Sequence, residues 1–168
     1  MRRWLWSVVI AFVAIIVLVI LGYIVLFSGR SEGTRIGSVS TTFRFFGPND
    51  KVALDRFDDS SIDGVSCYLA RARKGGIPGA VGTAEDPSNL SLSCVGTAPI
   101  KPKGNAKLAD LNGRNVFSER ASILFKTIEV RRFYDPERNT LCYVAISTKL
   151  INGSPANATA CVNVSETK

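Results

Sequence analysis

The sequence predicts a mainly β protein: a single antiparallel β-sandwich or small barrel domain preceded by one N-terminal transmembrane helix. Three observations carry this. Residues Trp4 to Phe27 run without a charge and are almost wholly apolar. Beyond them, short strand-like runs recur between turn residues. All four cysteines fall in that second part, at wide spacings.

Taken in order, residues 1–3 form a cytoplasmic tail and residues 4–27 a signal anchor. A helix of 24 residues is about 36 Å long at ~1.5 Å per residue, enough to cross a hydrocarbon core of ~30 Å with some tilt. Within lipid only a helix satisfies its own backbone groups without a partner strand, so the Val and Ile content does not argue for β structure here. Trp4, Trp6 and Tyr23 lie near the two ends, where amphipathic rings prefer the interface. The alternative is a leader cleaved on secretion to the periplasm. Such leaders have an apolar core of ~7–15 residues and a small-x-small cleavage site. Leu26-Phe27-Ser28-Gly29-Arg30 offers no such site. Arg2 and Arg3 before the helix nearly balance Arg30, Arg35 and Arg44 after it. Orientation therefore rests on the compact N-terminal cluster and on the cysteines.

Residues 28–34 read as a short polar linker and 35–168 as the periplasmic domain. Strands are expected at Lys51–Phe57, Val65–Arg71, Asn89–Val95, Ile123–Tyr134, Asn139–Lys149 and Ala158–Val164. Asp135-Pro136-Glu137-Arg138 reads as a hairpin loop with Pro at the second turn position. Asn152-Gly153-Ser154-Pro155 reads as another turn, and Ala106–Leu111 as one short helix. No internal repeat is evident.

Cys67, Cys94, Cys142 and Cys161 contain no C-x-x-C, so neither a zinc ribbon nor a thioredoxin-like motif is supported. Two disulfides in an oxidising compartment are the simpler reading. Three connectivities are possible; sequential pairing closes the shortest loops. Alternation places Cys67 on a face with Val65 and Leu69, and Cys94 with Leu90 and Leu92, so both point into a core. It places Cys142 with Val144 and Ile146, whereas Cys161 shares its parity with the polar Thr159, Asn163 and Ser165.

The chain has no histidine, which removes Ser-His-Asp and Cys-His catalysis. No catalytic residue, metal site or cofactor is assigned. The most unusual stretch is the glycine-rich segment 71–86. Arg71, Arg73 and Lys74 supply cations, while Gly75, Gly76, Gly79 and Gly82 permit close backbone approach and exposed N–H groups. These are the candidate binding residues. The segment matches neither a P-loop nor a dinucleotide fingerprint. Asp58-Asp59 and Glu85-Asp86 adjoin turns and read as solvated loop charges. Nineteen Lys and Arg against 14 Asp and Glu follow Phe27. Placement outside the cytoplasm excludes nucleic acid and favours weak attraction to anionic lipid or envelope polymer.

The runs IGSVSTTFRFFGPNDKVALDRFDD (36–59), VSCYLARARKGGIPGAVGTAED (65–86), SLSCVGTAPI (91–100) and SILFKTIEVRRFYDPERNTLCYVAISTKLINGSPANA (122–158) together resemble the CreA family of bacterial envelope proteins. The likeness runs from Ile36 to about Val164. It implies a small exported protein with an envelope disulfide between Cys67 and Cys94. No activity, cofactor or catalytic residue comes with it. Cys142 and Cys161 lie where family members carry small residues, so a second bridge would be particular to this lineage. The long leader also departs from the short cleavable signals of the family.

The leading functional expectation is a membrane-tethered periplasmic domain without enzymatic activity, binding an unidentified envelope protein or polymer. Its partner on the other side is the inner membrane, through the N-terminal helix. The alternative is a small-ligand sensor or enzyme using loop 71–86 with Arg71, Lys74 and Asp58. A cytoplasmic regulator conflicts with export and ranks last.

Overall fold

The computed structural model describes residues 2–27, 33–80, 89–120, 127–148 and 155–164. The chain divides into two compact units, Met1–Arg30 and Ser31–Lys168.

The first unit is one helix, α1, Arg2–Phe27, 26 residues long. It covers the whole stretch expected to be helical. Its described apolar side chains, from Trp6 to Leu21, are exposed on all sides of the helix. Among the described residues no helix is long and apolar enough to cross a membrane. The transmembrane span expected over residues 4–27 is thus not found among the described residues.

The second unit consists of two four-stranded antiparallel meanders. Sheet A runs β1 (Thr34–Ser40), β2 (Lys51–Asp58), β3 (Ile62–Arg73), β4 (Leu90–Pro102). Sheet B runs β5 (Asn115–Arg120), β6 (Thr127–Asp135), β7 (Thr140–Thr148), β8 (Asn157–Asn163). Each strand pairs with its sequence neighbour within its own sheet, so the architecture is two sheets rather than one closed barrel. A single apolar core joins them. Phe57, Val65, Cys67 and Leu69 of sheet A pack with Phe117, Val130, Leu141 and Tyr143 of sheet B. The rings of Phe57 and Phe117 stack at 4.6 Å between centroids. Every core residue and both disulfides lie in this unit, so it carries what a domain needs to fold on its own.

Among the described residues, six of the eight strands stand where alternation places them, with most ends moved by a few residues and β4 running on from Val95 to Pro102. Two were missed. The seven residues of β1 are all exposed, and an edge strand with no buried face leaves no apolar period to read. In β5 a register shift between Asn115 and Phe117 turns the consecutive residues Val116 and Phe117 both into the core. A bulge of this kind erases the two-residue period. The helix expected at Ala106–Leu111 is a single 3₁₀ turn, Leu108–Leu111. A short helix, α2, Gly76–Ala80, occupies part of the glycine-rich segment. The Asp135–Arg138 loop does join β6 to β7. Asp135 Oδ1 accepts from the N–H groups of Glu137 at 3.0 Å and Arg138 at 3.4 Å, the Asx pattern that starts such turns. Residues 121–126, which open the strand expected from Ile123, and 152–154 of the second expected turn lie outside the described residues.

Both disulfides join directly opposed residues on the third and fourth strands of their sheet. Cys67 bonds Cys94 with Cα atoms 4.1 Å apart, and Cys142 bonds Cys161 at 4.0 Å. The first is buried as alternation predicts. In the second, Cys142 does share a face with Val144 and Ile146, but that apolar face is the outer one: on β7 the buried residues are Leu141, Tyr143, Ala145 and Ser147. Cys142, Val144 and Ile146 look outward with the exposed Cys161.

The registers also disclose a repeat. Arg56 opposes Tyr68 and Phe57 opposes Cys67 in one hairpin. In the other, Arg132 opposes Tyr143 and Phe133 opposes Cys142. Each hairpin cysteine then bonds a cysteine on the next strand. The two copies turn opposite faces inward, because Phe57 and Cys67 are buried in the first whereas Arg132 and Tyr143 are buried in the second. The Phe/Cys face of one meander thus packs on the Arg/Tyr face of its repeat.

Candidate functional site

Three polar constellations order the described part of the domain, and two of them lie between the sheets. The first centres on Asp59, at the end of β2, which was expected to be solvated and is instead buried. Its carboxylate accepts from Arg132 Nη1 on β6 and from Tyr143 Oη on β7 at 3.0 Å, and from the Ser61 N–H at 2.8 Å. The remaining side of the Arg132 guanidinium donates to the Leu111 carbonyl, at 3.1 Å and 3.3 Å. Burial, then the Asp59 charge and its hydrogen bond, push the Tyr143 phenol well above the ordinary tyrosine range. The group is a closed stitch: it ties β2, the 3₁₀ turn and sheet B together. Asp58, in contrast, is exposed and accepts from Ser66 Oγ at 2.6 Å. Glu85 and Asp86 lie outside the described residues.

The second constellation holds two of the candidate binding residues. Arg71 projects inward from β3 beside its diagonal neighbour Asp55 on β2, because Ala53 directly opposes Arg71. Arg71 Nη2 donates to Asp55 Oδ2 at 3.0 Å and also pairs with Glu119 of β5. Arg73 Nη2 reaches Glu119 Oε1 at 2.6 Å. Arg35, opposite Asp55 on β1, closes the group by pairing with Asp55. Three guanidinium groups thus surround two carboxylates. Among the described residues, buried Arg71 Nη1 and Arg73 Nε have no hydrogen-bond partner.

Burial pushes the Asp55 carboxyl up, but hydrogen bonds from Arg35 and Arg71, with their charge, outweigh it and leave it below the ordinary value. A carboxyl depressed on folding contributes stability that is fully present above its unfolded value of ~3.9 and is lost as pH falls through the folded value. Urea midpoints measured from pH 6 down to pH 3 should therefore drop below about pH 4, and the drop should be shallower in Asp55→Asn. An identical profile in the variant would place the pH dependence elsewhere.

The third constellation is the β1–β2 loop, 41–50. Asp50 anchors it. Its carboxylate accepts from Arg44 Nε at 2.9 Å and Nη2 at 2.8 Å, from Thr42 Oγ1 at 2.8 Å, and from the Gly75 N–H at 2.6 Å. The Arg44 hydrogen bonds first, then those of Gly75 and Thr42, hold the Asp50 carboxyl far below the ordinary carboxylate range. The Gly76 N–H donates to the Pro48 carbonyl at 2.6 Å. Two glycines make this contact possible. Gly47 has φ +82°, and a Cβ on Gly75 would overlap the backbone of Pro48 and Asn49.

The candidate residues therefore divide. Arg71 and Arg73 enter the ion-pair group between the sheets. Gly75 and Gly76 are buried and donate their N–H groups to the 41–50 loop, and Lys74 is exposed beside them. A Cβ on Gly79 would overlap the Lys74 carbonyl, so this glycine serves the turn into α2. Gly82 lies outside the described residues. Among the described residues, no group of three or more His, Cys, Asp or Glu is placed to hold a metal ion.

What sequence reasoning missed is what the anchored loop displays. Phe43 is 83% exposed, Phe45 85%, Phe46 74%, and the neighbouring Ile77 on α2 65%. Phe45 and Phe46 meet edge to face at 5.4 Å. The available signal was TFRFFGPND (42–50): three aromatics without alternation running into a Gly-Pro turn.

The family model described as CreA protein matches residues 36–167. The chain belongs to the CreA family. It is similar to Protein CreA of Escherichia coli K12, with 42% identity over 134 residues, covering 80% of this chain and 85% of that protein. The same figures hold for Protein CreA of strains O6:H1 and O157:H7. No solved structure matches the chain. The CreA match spans both sheets, all four cysteines and the aromatic loop, while α1 precedes it. The two disulfides suggest folding in an oxidising compartment such as the periplasm.

Proposed function

We propose that this CreA-family chain is a binding module of the bacterial envelope, tethered to the inner membrane by α1 with its β domain in the periplasm. The observation that carries the binding role is the aromatic tip. Three phenylalanines are kept in water by a loop that Asp50, Arg44 and the Gly75 and Gly76 N–H groups hold in place, so the exposure is built in. Contiguous exposed apolar surface on a soluble domain marks an interaction site. The acids and bases between the sheets pair with one another, and that supports binding rather than chemistry. The tether is supported by the uncharged, almost wholly apolar run from Trp4 to Phe27 within α1, a composition proper to a buried or membrane helix.

Protease added to spheroplasts should digest residues 31–168 while the membrane is sealed. Survival of the domain until detergent is added would overturn the topology. A photoreactive side chain in place of Phe45 should crosslink to an envelope component in intact cells. The same probe at the exposed Asp58 should not, and equal yields from both sites would remove the tip as the binding surface.

A second reading, small-anion binding at Arg71 and Arg73, is favoured by their unpartnered buried nitrogens and by the excess of guanidinium over carboxylate. Titration calorimetry with inorganic phosphate and with acetate tests it. Heat of binding lost in Arg73→Gln would support the site, and no heat with either anion would dismiss it.

A further inference from the structure

We propose that the tip formed by Phe43, Phe45, Phe46 and Ile77 inserts into the interfacial layer of an anionic lipid bilayer, giving the domain a membrane contact separate from α1. This deepens the binding role proposed above and rests on that reading only for the tip's being a contact surface.

Lipid fits the tip better than a folded protein partner does. The apolar residues come from one loop and the adjoining turn of α2, and each keeps about two thirds or more of its surface in water. Stable protein interfaces bury about 800 Å² on each side, with a flat or concave, well-packed centre. A projecting tip of four side chains supplies depth rather than area. Interfacial insertion needs depth, about 5–10 Å into the headgroup and acyl boundary.

The loop is also braced for such a task. Asp50 takes hydrogen bonds from Arg44, Thr42 and Gly75, Arg44 N–H donates to Asn49 Oδ1 at 2.9 Å, and Gly76 ties to Pro48. The phenylalanines are thereby presented without a further ordering cost on insertion. Charge favours an anionic surface as well. Arg35, Arg44, Lys51, Arg71, Arg73 and Lys74 stand against Asp50, Asp55 and Glu119 at this end, an excess of three positive charges. Of these, Lys74 and Arg44 are exposed beside the aromatic residues. Basic residues within a Debye length of an anionic leaflet add to apolar insertion.

The test uses the α1-free domain, residues 31–168, which contains the whole core and both disulfides. Both tryptophans of the chain, Trp4 and Trp6, lie outside it, so Phe45→Trp installs a single reporter at an exposed position. Mixed with phosphatidylglycerol–phosphatidylethanolamine vesicles, this variant should show blue-shifted emission and quenching by brominated acyl chains. Phosphatidylcholine vesicles should give a weaker response. The unsubstituted domain should cosediment with the anionic vesicles, and Phe43→Ser/Phe46→Ser should lose binding roughly hundredfold, as expected when two buried phenyl groups are withdrawn. Unshifted emission with no cosedimentation would overturn the proposal. So would photo-crosslinking from position 45 of the full chain that yields a protein adduct and no lipid adduct. Failure here leaves the α1 tether standing, because that is tested separately by alkaline extraction of the full chain from membranes.

Discussion

Arg132→Met is expected to destabilise the domain by about 3–5 kcal/mol, the effect of stripping one partner from a buried ion pair. The cost arises on the acid. Asp59 would keep the Tyr143 hydroxyl and the Ser61 N–H but lose its cation, and the Leu111 carbonyl would lose both its donors. For a domain of this size the melting temperature should fall by roughly 10–20 °C. Arg132→Lys should recover little, since a single ammonium cannot reach Asp59 and Leu111 together as the guanidinium fork does. Asp59→Asn/Arg132→Met should be less damaging than Arg132→Met alone, because it removes the stranded charge. Urea unfolding of the three variants measures this, and a double variant no more stable than the single one would mean the pair is not what holds the site.

The two disulfides should separate sharply in accessibility though not in the entropy they remove. Sequence separations of 27 and 19 residues correspond to about 3.5 and about 3.2 kcal/mol by loop closure. Burial is what distinguishes them. Cys67 lies in the core with Cys94 packed against it, whereas Cys161 is exposed on the outer face of sheet B. Graded dithiothreitol followed by alkylation and peptide mass analysis should therefore block Cys142 and Cys161 first. Replacing Cys67 and Cys94 by alanine should cost more than replacing Cys142 and Cys161, since only the first pair leaves space in a packed interior. Simultaneous alkylation of all four thiols would mean that opening one bridge unfolds the whole domain.

Much of the architecture was legible before folding was considered. Lys51–Phe57, Val65–Arg71 and Asn139–Lys149 alternate because each buries one face, and the hairpin at Asp135–Arg138 carries its own turn chemistry. The edge strand Thr34–Ser40 was not legible, because it buries nothing and so leaves no pattern. The bulge before Phe117 hid β5 for the opposite reason, placing two neighbours inside. The surroundings of the candidate residues were less legible than the strands. Arg71 and Arg73 stand in a glycine-rich context that suggests a ligand loop, yet their carboxylate neighbours Asp55 and Glu119 lie 16 and 46 residues away along the chain, respectively. Separations of that length leave no local mark.

By itself the amino-acid sequence determined most of the strand-forming segments, a set of four cysteines whose sequential pairing closes the shortest loops, and the resemblance to the CreA family. Each depends on residue spacing along the chain, and spacing is a local property. Tertiary structure alone decided which way a strand faces when both faces are apolar. On β7, Leu141, Tyr143 and Ala145 compete with Cys142, Val144 and Ile146, and alternation supplies a period without a phase. The phase is set from across the sandwich, where buried Asp59 requires Arg132 and Tyr143 to point inward and so leaves the Cys142–Cys161 bridge in water.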